Sequence, residues 1–376
     1  MAVAALWIVL VHNSIRDLAL MKPTTPSTSQ RILELDALRG LAALAVVLFH
    51  YTTRYDQLFG YAEPLAVAVP WGHFGVDLFF MLSGFVILMS LERTSSAWKF
   101  AWGRFSRLYP AYWASAALTF AVVSLSKLPG HEVSLGEALL NLTMVQALLG
   151  APHIDGAYWS LQAELIFYAN ILLLFYWGAF RRPTLTVAVW LAMAVAVRLA
   201  GGIVAADWPW AGELLSKVAT VASLKYIPLF AIGMLFYKCR QSGSVSKEAI
   251  AVFVACWATI LLFNGFTTAI IDALLGAILL LAVHSRLRFL SCRPLVALGA
   301  VSYTLYLVHQ NIGYALIRQL QLWGVTPWLA IAGATLFSIM LASWLHRLVE
   351  LRAMKSLRNL DPARHLAWWP APHSNS

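Results

Sequence analysis

Two residues able to do chemistry, Arg39 and His50, stand eleven positions apart in an otherwise apolar run, LRGLAALAVVLFH. On a helix, eleven residues rise about 16 Å and return to within about 20° of phase. The guanidinium and the imidazole therefore share a face at different depths. A buried imidazole acts as general base or nucleophile when a neighbour fixes its tautomer. The expected neighbour is Glu164, in YWSLQAELIFY. Counted from the ends of their apolar stretches, Glu164 and His50 lie at depths of about 9 and 6 Å. A carboxylate beside an imidazole suits base-assisted attack by a hydroxyl. A structural pairing of Glu164 with Arg198 or Lys225 is the alternative. Arg104 and Arg107, in RFSRLYP, are three apart and share a helix face. Guanidinium forks bind phosphate bidentately, although a bias of charge toward the cytoplasm also explains them. Further ionisable groups in apolar stretches are Asp36, Asp77, Asp272, His309 and Glu350, and such groups are generally paired or functional. There is no Walker or Rossmann pattern and no histidine spacing suited to a metal, so no metal is expected. The three cysteines show no redox or ligand spacing.

Lipid must position these groups. Of 376 residues, 60% are hydrophobic and 12% charged, with mean hydropathy +0.72. Soluble domains carry about 25% charged residues. The composition excludes a soluble enzyme, a disordered chain, a collagen and a disulfide scaffold. It implies an all-α polytopic membrane bundle of ten spans, near 37–54, 74–91, 110–127, 158–178, 184–201, 218–237, 248–264, 267–284, 299–317 and 328–346. With the N-terminus cytoplasmic, twenty Lys and Arg fall inside and four outside. Both termini are thus expected in the cytoplasm. This bias, not nucleic-acid binding, accounts for the net charge of +10. Residues 134–149 open with a capping box, Ser134 and Glu137. At about 22 Å the segment is too short to span comfortably and is expected as an interfacial or re-entrant helix on the outer side. Residues 1–30 read as an extension and linker without a signal peptide, 31–355 as the membrane domain and 356–376 as a basic cytoplasmic tail.

The stretches RILELDALRGLAALAVVLFHY (31–51), GHFGVDLFFMLSGFVI (72–87), FAWGRFSRLYPAYW (100–113), YWSLQAELIFY (158–168) and VSYTLYLVHQ (301–310) resemble the acyltransferase-3 family of integral-membrane O-acyltransferases. They fall in the family's order and cover nearly the whole chain. The resemblance implies a ten-helix bundle in the cell membrane, the bacterial inner membrane in particular. Its donor is acyl-CoA from the cytoplasm, most often acetyl-CoA. Its acceptor is a hydroxyl on a sugar of a surface polysaccharide or lipid-linked glycan. Carried over, Arg39 and His50 take the essential Arg-X10-His positions. Arg104 and Arg107 take the pair associated with the donor. Glu350 takes an acidic position on the last span, here without the proline that often follows it. Ser83, Tyr303 and His309 are possible supporting residues. His50 then activates the acceptor or carries the acyl group transiently. The competing function is a proton-coupled transporter, because intramembrane Arg, His and Glu also mark proton relays. The matched broken helices of an inverted repeat are not evident in the sequence.

Overall fold

In a computed structural model the structure describes residues 32–61, 63–94 and 96–359, and these are helical with no strand among them. The principal helices are α1 (Leu33–Phe49), α2 (Tyr55–Phe59), α3 (Gly75–Glu92), α4 (Ala97–Ser126), α5 (Leu135–Asn141), α6 (Trp159–Tyr176), α7 (Pro183–Asp207), α8 (Pro209–Val221), α9 (Ile227–Ser242), α10 (Lys247–Asn264), α11 (Phe266–Val283), α12 (Arg293–Ala300), α13 (Ser302–Val308), α14 (Gln310–Leu322), α15 (Pro327–Leu345) and α16 (Leu351–Asn359). Two π turns interrupt the series, His50–Arg54 after α1 and His346–Glu350 after α15.

Among the described residues, seven helical stretches are long and apolar enough to cross a membrane: 70–92, 97–126, 156–176, 183–207, 247–264, 266–283 and 327–357. The pair α8 and Leu224–Ser242, bent by 61°, makes an eighth if it is one span. The two other expected spans, 37–54 and 299–317, are helical but fall outside this set. The first is carried by α1, of 17 residues, whose run holds Glu34, Asp36 and Arg39 and stops just before His50. The second is divided among α12, α13 and α14. The segment after Ser134 is shorter than its sequence suggests. Its capping box closes both ways, but α5 is seven residues long and residues 146–149 form a separate 3-10 turn. The whole N-terminal extension, residues 1–30, and residues 360–376 of the tail lie outside the described residues.

The chain divides into two units. Among the described residues the first comprises 32–39, 77–90 and 166–296. There α3 and α9 meet backbone to backbone. A Cβ at Gly84 would strike the Phe230 carbonyl, and one at Gly233 the Met81 carbonyl. Phe167 stacks between Phe230 and Trp190, and the Arg198 guanidinium lies 3.9 Å over Phe263. Asp77 and Asp272 share a hydrogen bond, with Lys225 in electrostatic reach of Asp77.

Among the described residues the second unit comprises 40–76, 91–165 and 297–359. Its polar side chains lace helices together through backbone carbonyls. Tyr109, Tyr112 and Trp113 of α4 donate to the carbonyls of Thr143, Asn141 and Leu142. Trp102 Nε1–H donates to the Leu357 carbonyl at 2.8 Å, fastening α4 to α16. In a lipid-embedded fold such bonds satisfy polar atoms that no water reaches.

Candidate active site

The site lies in the second unit and starts where α1 ends. A π turn is one extra residue in a helix and is frequent at functional positions. Here it begins with His50. Thr52 braces the turn: its hydroxyl donates to the Leu48 carbonyl at 2.7 Å and accepts the Val69 N–H at 2.9 Å. The 3-10 turn Pro70–Phe74 lies against α1 because Gly72 and Gly75 present no Cβ to the carbonyls of Ala45 and Ala42.

His50 is half-buried. Its Nδ1 lies 2.9 Å from the Val46 carbonyl oxygen and 3.1 Å from Nε2 of His309. The two rings are 4.8 Å apart and inclined by 71°. His50 Nε2 has no hydrogen-bond partner among the described residues. His309 is fully buried, with its own Nδ1 2.8 Å from the Tyr306 carbonyl. Tyr51 donates to the His309 carbonyl at 2.6 Å and meets Ser338 Oγ at 2.8 Å. Gly313 leaves the room that the Tyr51 ring occupies.

His309 sits where the helix is interrupted between α13 and α14, and the interruption is held from outside. A continuous helix would pass the Asn311 N–H to Leu307. Instead Asp155 Oδ2 accepts it at 2.9 Å, and Tyr158 donates to the Leu307 carbonyl at 3.1 Å. Asp155 Oδ1 accepts the Ala157 N–H at 2.9 Å, so one carboxyl caps two helix starts. Asp155 is fully buried, and burial pushes its carboxyl up to about 7 against the opposing pull of those two N–H groups.

A second cluster forms around Tyr303. Its hydroxyl donates to the Leu108 carbonyl at 2.9 Å, and Glu350 and Glu164 both act on it electrostatically. Glu350 is buried and closes the second π turn by accepting from His346 Nδ1–H at 2.8 Å. Arg104 and Arg107 are half-buried on α4, beside Leu108. The Arg104 guanidinium lies 5.5 Å from the centre of the Phe100 ring. Arg107 makes no hydrogen bond or ion pair among the described residues. Half-buried guanidinium groups, one of them without a counter-charge, are able to bind phosphate oxygens.

The structure thus brings His50 to His309 and sets Glu164 and Glu350 each within electrostatic reach of Tyr303. The expected Glu164–His50 contact is not formed: the Nδ1 of His50 meets an imidazole where an acid was anticipated. Depth along two helices fixed how far in each residue sits, but not which way each side chain points. Asp36 and Arg39 are half-buried on α1 and engaged with other groups, as is Ser83 on α3 of the first unit. Asp155 escaped the sequence reading because it precedes its span. Its signal was that of a helix cap, an Asp two residues ahead of Ala157. His346 was likewise passed over, although it stands four residues before Glu350.

Comparison with known proteins identifies an acyltransferase. Residues 32–347 match the acyltransferase-3 family, described as an acyltransferase domain. The chain is 27% identical over 378 residues to acyltransferase MdmB of Streptomyces mycarofaciens, an overlap covering 90% of this chain and 95% of that protein. It is 27% identical over 266 residues to the exopolysaccharide production protein ExoZ of Rhizobium meliloti strain 1021, covering 67% and 80%. It is 34% identical over 137 residues to the putative acetyltransferase ORF330 of Acidianus two-tailed virus, covering 36% and 39%. No solved structure matches.

Proposed function

The chain belongs to the acyltransferase-3 family, and on that footing we propose that it moves an acyl group, acetyl first among the choices, from acyl-CoA to a sugar hydroxyl of a surface polysaccharide or lipid-linked glycan. It is an acyltransferase acting on groups other than aminoacyl groups. Its apolar helices make it a membrane protein, and the charge bias supports ten spans with both termini cytoplasmic in the cell membrane.

One observation carries the chemistry: the half-buried His50 has Nδ1 engaged by the protein and Nε2 left without a protein partner. A base needs such an open nitrogen. His50 Nε2 takes the proton of the acceptor hydroxyl as its oxygen bonds to the acyl carbon. The carbon–sulfur bond breaks, and the same proton passes to the departing thiolate. Arg104 and Arg107 hold the donor's phosphates on the cytoplasmic side. Arg39 lies on the same helix as His50, on the cytoplasmic half, and supports the path of the donor. The sugar acceptor draws support from ExoZ, whose name concerns exopolysaccharide production.

The test is release of free CoA by detergent-purified protein given radiolabelled acetyl-CoA, with and without a lipid-linked glycan extract. Wild type releases CoA in a glycan-dependent way, and His50→Ala loses about 100-fold or more of the rate. Full activity in a folded His50→Ala protein removes His50 from the chemistry. An intact thioester under every acceptor condition removes acyl-CoA as the donor.

A further inference from the structure

We infer that His309 is a positioning residue: as a neutral hydrogen-bond acceptor, it holds His50 in the tautomer that leaves Nε2 open to the acceptor hydroxyl. The inference rests on the reading of His50 as the base.

The proton positions follow from what each atom can do. A carbonyl oxygen only accepts. His309 Nδ1, 2.8 Å from the Tyr306 carbonyl, therefore carries a proton. His50 Nδ1, 2.9 Å from the Val46 carbonyl, carries one as well. In a neutral His309 ring the remaining nitrogen, Nε2, has a lone pair, and it lies 3.1 Å from that His50 proton donor. The His50 Nδ1–H is thus shared between Val46 and His309. The reversed arrangement would set two lone pairs against each other at one of the two carbonyls. A doubly protonated His309 would set N–H against N–H. Only the first arrangement satisfies all three contacts.

The consequence is a hydrogen-bonded relay of fixed direction, from His50 Nδ1–H to His309 Nε2 and from His309 Nδ1–H to the Tyr306 carbonyl. When His50 Nε2 takes the acceptor's proton, positive charge spreads to Nδ1–H, where the His309 lone pair receives it. The proton then leaves from Nε2 to the thiolate, and both rings return to their starting form. In hydrolase triads a buried carboxylate does this work. A neutral imidazole does it without a permanent charge in a low-dielectric interior, where an unpaired charge is costly. The interruption between α13 and α14 fixes His309 itself, through Asp155 on Asn311 and Tyr51 on the His309 carbonyl.

The experiment compares His309→Leu, which removes the acceptor, with His309→Gln, which restores an oxygen acceptor near the Nε2 position. In His309→Leu, kcat falls about 10–100-fold, the range for partners that orient functional imidazoles, while KM for acetyl-CoA and for the glycan extract stays level. His309→Gln recovers a large part of kcat. Equal kcat in Leu and wild-type proteins overturns the inference, as does a Gln variant no better than Leu when both fold. Should the Leu variant not fold, nitrogen-15 NMR of histidine-labelled wild type decides. The His50 signal, assigned by its loss in His50→Ala, shows protonated Nδ1 and bare Nε2, and the opposite tautomer overturns the inference. An inactive His50→Ala beside an unimpaired His309→Leu defeats this inference alone. An active His50→Ala defeats the underlying reading.

Discussion

The two π turns begin alike and end differently. HYTTR and HRLVE both open on histidine, at His50 and His346, and both continue directly into a helix. His346 Nδ1–H donates to a carboxylate in its own turn, Glu350, at 2.8 Å. His50 shares its Nδ1–H between a carbonyl and a second imidazole. By the logic of a catalytic triad the acid-paired histidine is the obvious base. The setting argues otherwise. His346 and its buried acid form a closed pair within five residues, which locks the turn. The partner of His50 comes from 259 positions away, so the fold itself must assemble that pair. An extra residue in a helix re-aims a side chain, and the two turns use it for different ends: one to open a nitrogen, the other to close a hydrogen-bonded pair.

Substitution at the second turn is the strongest way to break this contrast. His346→Ala leaves the buried Glu350 without its partner, and stranding a buried charge costs about 3–5 kcal/mol. The variant should melt well below wild type in detergent, with turnover by the surviving folded fraction, whereas His50→Ala should melt normally and turn over poorly. If His346→Ala melts normally and loses turnover while His50→Ala keeps it, the roles of the two turns are exchanged.

A smaller effect sharpens it. Tyr303 links the Leu108 carbonyl, one residue past Arg107, with the surroundings of Glu350. On the proposed function the second turn goes with the donor and the first with the acceptor. Arg107→Ala should raise KM for acyl-CoA roughly tenfold or more, since hydrogen bonds to charged groups contribute about 1.5–3 kcal/mol. It should leave kcat at saturating donor near wild type. A fall in kcat with unchanged KM would move Arg107 from the donor to the chemistry.

What was legible in the sequence follows the same divide. The apolar runs at 70–92, 183–207 and 266–283 announce themselves, because lipid requires uninterrupted apolar helices. The Ser134–Glu137 capping box was legible too, since its chemistry is local, although the helix it starts ends after seven residues. His50 and Arg39 stood out as polar groups in an apolar run. The partner of His50 did not. Depth along a helix follows from counting residues, but direction around it depends on how helices pair, and that is tertiary. Glu164 had a suitable depth, yet the group it acts on electrostatically is Tyr303. His309 was noted only as a possible support, because nothing local ties residue 309 to residue 50. Asp155 lay outside any span and showed no more than a cap.

Asp155 gives the smallest of these effects and reaches the first turn indirectly. Its carboxyl is pushed up to about 7 by burial, from 3.8 in the open chain. Between those values the folded protein holds a proton that the unfolded chain has released. Stability from this group is therefore fully present below about pH 4, falls as pH rises, and levels off above about pH 7, at up to about 1.4 kcal/mol per pH unit along the way. His153, two residues earlier, has its imidazole lowered by burial and contributes with the opposite sign. The melting curve of wild type alone therefore mixes the two. The difference between wild type and Asp155→Asn isolates the carboxyl, because His153 is common to both. Asn keeps an acceptor oxygen for one of the two N–H groups, that of Ala157 or that of Asn311, and cannot ionise. The stability advantage of wild type over this variant should shrink steadily from pH 5 to pH 7 and then stay constant. A difference independent of pH would mean that Asp155 already carries its charge in the fold. The support beneath His309 would then be an ionised cap rather than a protonated one.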